Sequence, residues 1–298
     1  MKIKVFIRSF LKVLYKVTHS RKYYHNRNIW HLFKISRSHD GEISEVFFKG
    51  REIRINNNLS TLKKNNELVI VASGPSVKKI KNDFFCNGKY DFFGVNGAVS
   101  VGDITFLYYC IMDPAFIRAR VDLVKKIVNN KDLILFCNFI SLHEIVETID
   151  EYDIKCSFKI IESIVHGIGR HFLGSSEKIA LNAREQSFHW VNGFAFSFKM
   201  NDFIFDYGTV TYPALQVACA LGYKTIYIAG LDMNNFNEPR FYESASEKQP
   251  VYLRKDFHDI DGGFYAAADY CRTNNIKVIN LSIDSAINSF EKMNFYDV

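Results

Sequence analysis

Short apolar runs rich in β-branched and aromatic residues recur along this chain, each closing on or beside a polar residue. Glu67–Ala72, Asp91–Asn96, Ile104–Met112, Leu133–Cys137, Thr225–Gly230 and Ile276–Ser282 are the clearest. Runs of this length bounded by turn residues read as buried strands. Residues 115–129, 211–222 and 264–274 carry helical patterning between them. The alternation predicts an α/β fold, a Rossmann-like parallel sheet flanked by helices. Residues 45–55 (EVFFKGREIRI) predict a hairpin turning at Lys49-Gly50.

Ser73, Asn96, Asp113, Asn138, Asp232 and Ser282 stand at the carboxyl ends of these runs. Open α/β sheets bind ligands at that edge, so the six together predict one cleft. Taken singly, such residues are also common turn and cap formers. The first run enters Ser73-Gly74-Pro75-Ser76 and then a lysine-bearing helical segment. Strand, glycine turn and helix open many nucleotide-binding units: Ser73 or Ser76 caps the helix, and Gly74 lets a ligand approach the backbone. The turn is neither GxGxxG nor a P-loop.

The amino-terminal stretch has a different period. In residues 2–17, KIKVFIRSFLKVLYKV, Lys4, Arg8, Lys12 and Lys16 form one helical stripe. Ile3, Phe6, Phe10, Val13, Leu14 and Val17 fall away from it, which makes a basic amphipathic helix. The lysines interrupt the apolar core a signal peptide needs. Such a helix either docks on the protein's own core or lies in the headgroup layer of an anionic membrane. The run Arg21-Lys22-Tyr23-Tyr24-His25 extends the same character. Residues 1–60 are therefore read as a membrane-associating segment and 61–298 as the nucleotide-binding domain.

Composition narrows the classes. A 298-residue chain that is 48% hydrophobic and 23% charged is neither disordered nor collagenous. Its longest apolar stretch, Phe106–Met112, is too short to span a bilayer. The net charge of +6 is concentrated in residues 1–40, where ten Lys or Arg face one acid, Asp40. That asymmetry points to an anionic surface as partner. No recognition motif supports nucleic acid. Six scattered Cys without a CxxC pair read as reduced thiols in a reducing cytosol. The nine His are dispersed and Asp232 is a lone acid rather than part of a DxD pair, so no metal cluster and no cofactor are expected.

The run Val69–Ile80 (VIVASGPSVKKI) resembles the opening of the bacterial family 42 sialyltransferases. Ala218–Asp232 (ACALGYKTIYIAGLD) resembles a second segment of that family. The stretch from His258 through Ala266 and Ile276-Lys277 to Ser285-Ala286-Ile287-Asn288 resembles a third. The likeness covers residues 67–290, weakly between 115 and 200. The basic extension and the ending Asn280–Ala286 also resemble lipopolysaccharide-core Kdo transferases. Sialic acid and Kdo are both 2-keto-3-deoxy acids activated as CMP esters, so one scaffold suits both donors.

The resemblance implies a GT-A-like variant of the Rossmann sheet and an inverting, metal-independent transfer. The implied donor is a CMP-activated sugar, CMP-Kdo or CMP-sialic acid, and the acceptor a lipopolysaccharide core. The implied location is the cytoplasmic face of the inner membrane. Nucleotide contacts then fall on Ser73, Gly74, Pro75, Ser76, Asn96, Asp113 and Asp232. Asp113 is expected to face a hydroxyl, since a phosphate would repel it. The phosphate loop is Asn234–Tyr242, where Asn234 replaces the family's first tyrosine and Arg240 and Tyr242 are the candidates. His258 matches the family's catalytic histidine, whose ordinary pKa near 6.5 suits a general base. Thr209 and Thr211 precede an apolar helix and suit the donor carboxylate, with Tyr207 in place of a family arginine. Asn138, Arg170 and Ser282 complete the candidate donor and acceptor contacts. Arg170 lies in VHGIGRH, read as a loop-like lid or acceptor site. Competing readings are a Mg²⁺-dependent phosphotransfer protein and a non-catalytic membrane-associated partner of core assembly.

Overall fold

A computed structural model describes residues 2–59, 62–86, 88–102, 104–234, 239–243 and 253–298. The chain opens with helix α1 (Lys2–Thr18) and an antiparallel sheet of β1 (Phe33–Arg37), β2 (Ile43–Phe48) and β3 (Arg51–Ile53). The expected hairpin is β2–β3, with Phe48 paired to Arg51. Its two turn residues, Lys49 and Gly50, both have positive φ, the geometry that matches the twist of a two-residue hairpin.

Then come β4 (Glu67–Val71), α2 (Asn82–Cys86), β5 (Asp91–Val95), β6 (Tyr108–Ile111), α3 (Pro114–Ala119), α4 (Val121–Val128), β7 (Ile134–Cys137), α5 (Phe139–Thr148) and β8 (Ser157–Ile160). Six short strands follow: β9 (Ser163–Val165), β10 (Ile168–Arg170), β11 (Ser176–Lys178), β12 (Phe188–Val191), β13 (Phe194–Ser197) and β14 (Ile204–Asp206). The chain closes with α6 (Thr211–Ala220), β15 (Thr225–Ala229), α7 (Leu253–Thr273), β16 (Lys277–Asn280) and β17 (Glu291–Lys292).

Eight strands form one sheet in the order β17-β16-β15-β4-β5-β6-β7-β8, and all its pairs are parallel. The chain enters at β4 in the middle, runs out to β8, then returns to β15 on the other side of β4. The strand order thus reverses between β4 and β15, and a crevice opens there at the carboxyl ends. Val69, Val71, Tyr109, Ile111 and Leu135 pack on one face with α3, α4 and α5. Leu68, Ile70, Tyr108, Cys110 and Phe136 pack on the other with α6 and α7. Burial of both faces explains why these strands read as unbroken apolar runs. Phe33, Val46 and Phe48 belong to the same core as Phe139 and Phe172, so residues 33–53 are built into the body.

Some sequence expectations change. The helix expected over 115–129 is two helices, broken at Arg120, whose φ/ψ of −133°/51° is not helical. The helix expected at 264–274 begins at Leu253; Gly262-Gly263 and three acids, Asp256, Asp259 and Asp261, obscure its first half. VHGIGRH is not a loop but the β9–β10 hairpin, turning on His166 and Gly167, both at positive φ. Five cysteines are buried and Cys86 is exposed.

Candidate active site

The crevice at the β4–β15 divide holds a cavity of about 330 Å³. Its floor is the turn after β4, and its geometry rests on a clasp across the divide. Asp232, just past β15, is buried, and its carboxylate accepts from the Ser76 N–H at 2.9 Å and the Ser76 hydroxyl at 2.5 Å. The Ser282 hydroxyl lies 2.8 Å from that of Ser76 and ties in the end of β16. The Gly74 N–H donates to the Gly230 carbonyl at 3.0 Å. A Cβ on Gly74 would fall 2.5 Å from both Asp232 Oδ2 and the Gly230 carbonyl oxygen, so only glycine fits this approach.

Ser73, Gly74, Pro75, Asn96, Asp113, Thr209, Thr211, Asp232 and Arg240 all line the cavity. The four strand-end residues Ser73, Asn96, Asp113 and Asp232 therefore meet in one cleft. Asn96 follows β5 at φ 45°, and its Oδ1 is buried without a hydrogen-bond partner. A buried acceptor without a donor costs stability. Asp113 caps α3, one carboxylate oxygen accepting from the Ala115 N–H at 2.8 Å. Thr209 and Thr211 are buried at the start of α6, whose amino end opens onto the cavity. Free N–H groups and hydroxyls there suit an anion.

Other candidates stand elsewhere. Asn138 spends its side chain as the cap of α5, accepting from the Ser141 N–H at 2.7 Å and donating to the Met112 carbonyl at 2.9 Å. Ser282 and Ser76 serve the Asp232 clasp and do not line the cavity. Arg170 sits in the β10 strand, outside the cleft. Tyr242 does not line the cavity either. Its ring fills the space beside Gly97, where a Cβ would fall 2.1 Å from it, so it holds the turn that carries Asn96. Burial pushes its pKa up to about 12. His258 is exposed on α7, edge-on to Phe194, and lines neither the main cavity nor its neighbour. Residues 235–238 of the expected phosphate loop lie outside the described residues. Arg240 lines the cavity with its charge already paired to buried Glu243, at 2.8 Å.

One residue the sequence reading missed is central. Asp206, the last residue of β14, lines both the main cavity and a smaller one of about 160 Å³ with His166, Tyr207, Asp256 and Asp259. Burial raises its pKa, and the charges of Asp113 and Asp256 push the same way, against the Gly208 N–H that bonds it at 2.9 Å. It obeys the same rule of a polar residue at a strand end, but its strand has three residues and carries no readable signal. Tyr207 beside it accepts from the Ala195 N–H at 2.9 Å, and burial lifts its pKa to about 12.

No protein-family model matches the chain. An 81-residue stretch, 26% of the chain, is 37% identical to a probable 3-deoxy-manno-octulosonic acid transferase of Salmonella typhimurium and spans 28% of that relative's length. The chain is also similar in fold to the sialyltransferase CST-II solved with trisaccharide acceptor and CMP. That similarity has a TM-score of 0.40 at 19% identity, over 76% of this chain and 85% of that one. The monofunctional alpha-2,3-sialyltransferase Cst-I of Campylobacter jejuni aligns at a TM-score of 0.43 and 16% identity, over 81% and 86% of the two chains.

Proposed function

We propose that this protein is a glycosyltransferase that takes a sugar from a CMP ester, with CMP-Kdo as donor and a lipopolysaccharide core sugar as acceptor. The observation that carries the reading is the cavity at the sheet's switch point, lined on one side by Asn96 and on another by the amino end of α6. A nucleotide with an amino-bearing base answers the first; the donor's phosphate or carboxylate answers the second. The choice of Kdo over other 2-keto acids is supported by the matched stretch of the Salmonella protein.

In the proposed reaction the acceptor hydroxyl oxygen forms a bond to the sugar C2 as the C2–O bond to the phosphate breaks, with inversion. CMP leaves, and the hydroxyl proton passes to a base. The leaving group carries a single phosphate, so the reading requires no divalent metal. Two residues compete for the proton. His258 is favoured by its match to the family's histidine. Asp206 is favoured by position: it lines both cavities, and its raised pKa brings a carboxylate nearer the working range of a base. Arg240 is the cation offered to the phosphate once Glu243 has fixed it in place.

The test is incubation with CMP-Kdo or CMP-sialic acid, with and without core lipid acceptor, in EDTA. CMP release from CMP-Kdo and a one-Kdo mass increase of the acceptor are expected. Release from CMP-sialic acid alone overturns the donor assignment, and inertness toward both overturns the reading.

A further inference from the structure

The sequence left two roles open for α1: packing on the protein's own body or lying on a membrane. The structure separates the two faces of the helix. Tyr15 is the residue that docks, buried against the body, stacked on His19 at 3.8 Å and facing Trp30 at 5.5 Å. The Tyr24 hydroxyl donates to the Lys16 carbonyl at 3.0 Å and pins the helix's last turn. At 100° per residue, Ile7, Phe10, Val13, Leu14 and Val17 fall within an arc of about 120° that leaves Tyr15 outside it. All five are uncovered, from 39% exposed at Leu14 to 80% at Val17. The amphipathic stripe is therefore not what holds the helix to the protein.

We infer that this arc is a docking face for an anionic lipid surface, with Phe10, Val13 and Val17 entering the headgroup layer, Lys16 on its flank meeting lipid phosphates, and Lys12 farther round adding to the attraction of the basic segment. Charge decides the occupant. Lys16 is exposed on the flank of the arc, Lys12 is exposed farther round, between Lys16 and Tyr15, and exposed Arg21 and Lys22 follow after the helix. Residues 2–39 contain no acidic side chain. A second copy of the helix would bring like charge against like charge across the same face, whereas a phospholipid surface supplies the opposite charge along its whole length. Long lysine stems beside an apolar arc keep their ammonium groups at the level of the headgroups. Among the described residues no helix is long and apolar enough to cross a membrane, so the geometry is that of a helix lying in the interface. This inference stands apart from the proposed reaction, because it needs neither donor nor acceptor.

The test is co-sedimentation of the full chain with phosphatidylethanolamine–phosphatidylglycerol vesicles against pure phosphatidylcholine vesicles, neither containing glycolipid. Binding to the first alone is expected, weakening with salt. Phe10→Asp with Val17→Asp is expected to abolish it, and Lys12→Glu with Lys16→Glu to weaken it about ten-fold or more at low salt. These side chains are exposed, so the melting temperature should hold and serves as the fold control. Phe10→Trp reports depth: its emission should shift to the blue and be quenched by brominated lipid. Absence of binding to anionic vesicles overturns the inference, as does wild-type binding by both double variants. A lipid-free dimer that Phe10→Asp dissolves would assign the face to a second copy and overturn it equally. Inactivity toward CMP donors with vesicle binding intact would count against the proposed reaction and leave this inference standing.

Discussion

Ser76 gives both its backbone N–H and its hydroxyl to the two carboxylate oxygens of Asp232, at 2.9 and 2.5 Å, across the point where the sheet reverses its strand order. The pair joins the turn after β4 to the turn after β15, the two loops that would otherwise part around a ligand. Asp232 thus looks like a cleft residue in sequence but acts as the hinge pin of the cleft. Charge-assisted hydrogen bonds of this kind are worth about 1.5–3 kcal/mol each. Ser76→Ala is expected to lower stability by about that amount while leaving Asp232 buried and short of a donor. Chemical denaturation checks it; an unchanged midpoint would remove the clasp from the account.

Gly74 tests the same region by size rather than charge. An added methyl meets two oxygens at 2.5 Å, one of them backbone, so neither neighbour yields cheaply. Gly74→Ala is expected to cost about 1–3 kcal/mol by overpacking and to weaken nucleotide binding by spreading β4 from β15. Denaturation and CMP titration by calorimetry measure the two effects; a variant as stable as wild type contradicts the close approach.

Asn96 separates strain from recognition. Its φ of 45° suits Asn or Gly, and its Oδ1 is an acceptor awaiting a donor. Asn96→Gly keeps the backbone comfortable and removes the whole carboxamide, acceptor and donor together. Stability should change little, while CMP affinity should fall roughly 2- to 12-fold, the equivalent of one hydrogen bond of about 0.5–1.5 kcal/mol. Equal CMP affinity in variant and wild type would show that the ligand does not use this atom.

The parts of the fold that were legible in sequence were those buried on two faces. Each of β4 to β7 lies in the middle of an eight-stranded parallel sheet, so side chains on both faces must be apolar and the run stands out. Strands β9 to β14 have three or four residues and half-buried patterns such as that of Ser176–Lys178, too short and too mixed to show a period. The rule that polar strand ends make a cleft held for Ser73, Asn96, Asp113 and Asp232 and missed at Asn138, where an asparagine satisfies a helix start just as well, and at Ser282, whose hydroxyl is spent on the Ser76 clasp. Asp206 belongs to the rule but sits in the unreadable stretch. The partner of Arg240, Glu243, lies three residues on and carried no signal either.

The end of the β9–β10 hairpin makes a pH prediction. His171 bonds Glu162 through Nδ1 at 2.7 Å and approaches Glu177 at 3.2 Å, and Arg37 holds the same Glu162 at 2.5 Å. The Glu162 hydrogen bond raises the His171 pKa against its partial burial. A histidine with a raised folded pKa contributes stability that is full below its unfolded value near 6.5 and lost as pH climbs through the folded value. The melting temperature should therefore fall on the alkaline side of pH 6.5 more in wild type than in His171→Gln. Parallel curves for the two proteins would exclude the ion pair as the cause.

The choice between Asp206 and His258 can be made by combining stability with rate. A carboxyl whose folded pKa is raised favours its neutral form, so at pH 7, where it is forced to ionise, it costs the fold stability. Below its unfolded value, near 3.9, that cost is absent. Asp206→Asn should therefore melt higher than wild type at neutral pH, with the difference shrinking toward pH 4. If Asp206 takes the acceptor proton, the same variant should lose roughly 10²- to 10⁴-fold in turnover while binding CMP normally, becoming stabler and slower at once. His258→Ala removes an exposed side chain that packs edge-on to Phe194, so its fold should be nearly untouched. A comparable loss of turnover in that variant, with Asp206→Asn still active, would give the proton to the histidine and require α7 to turn it into the cleft when substrate binds. Arg240→Ala adds the control: it should also slow hydrolysis of the donor without acceptor, because a phosphate charge must be met whichever base is used.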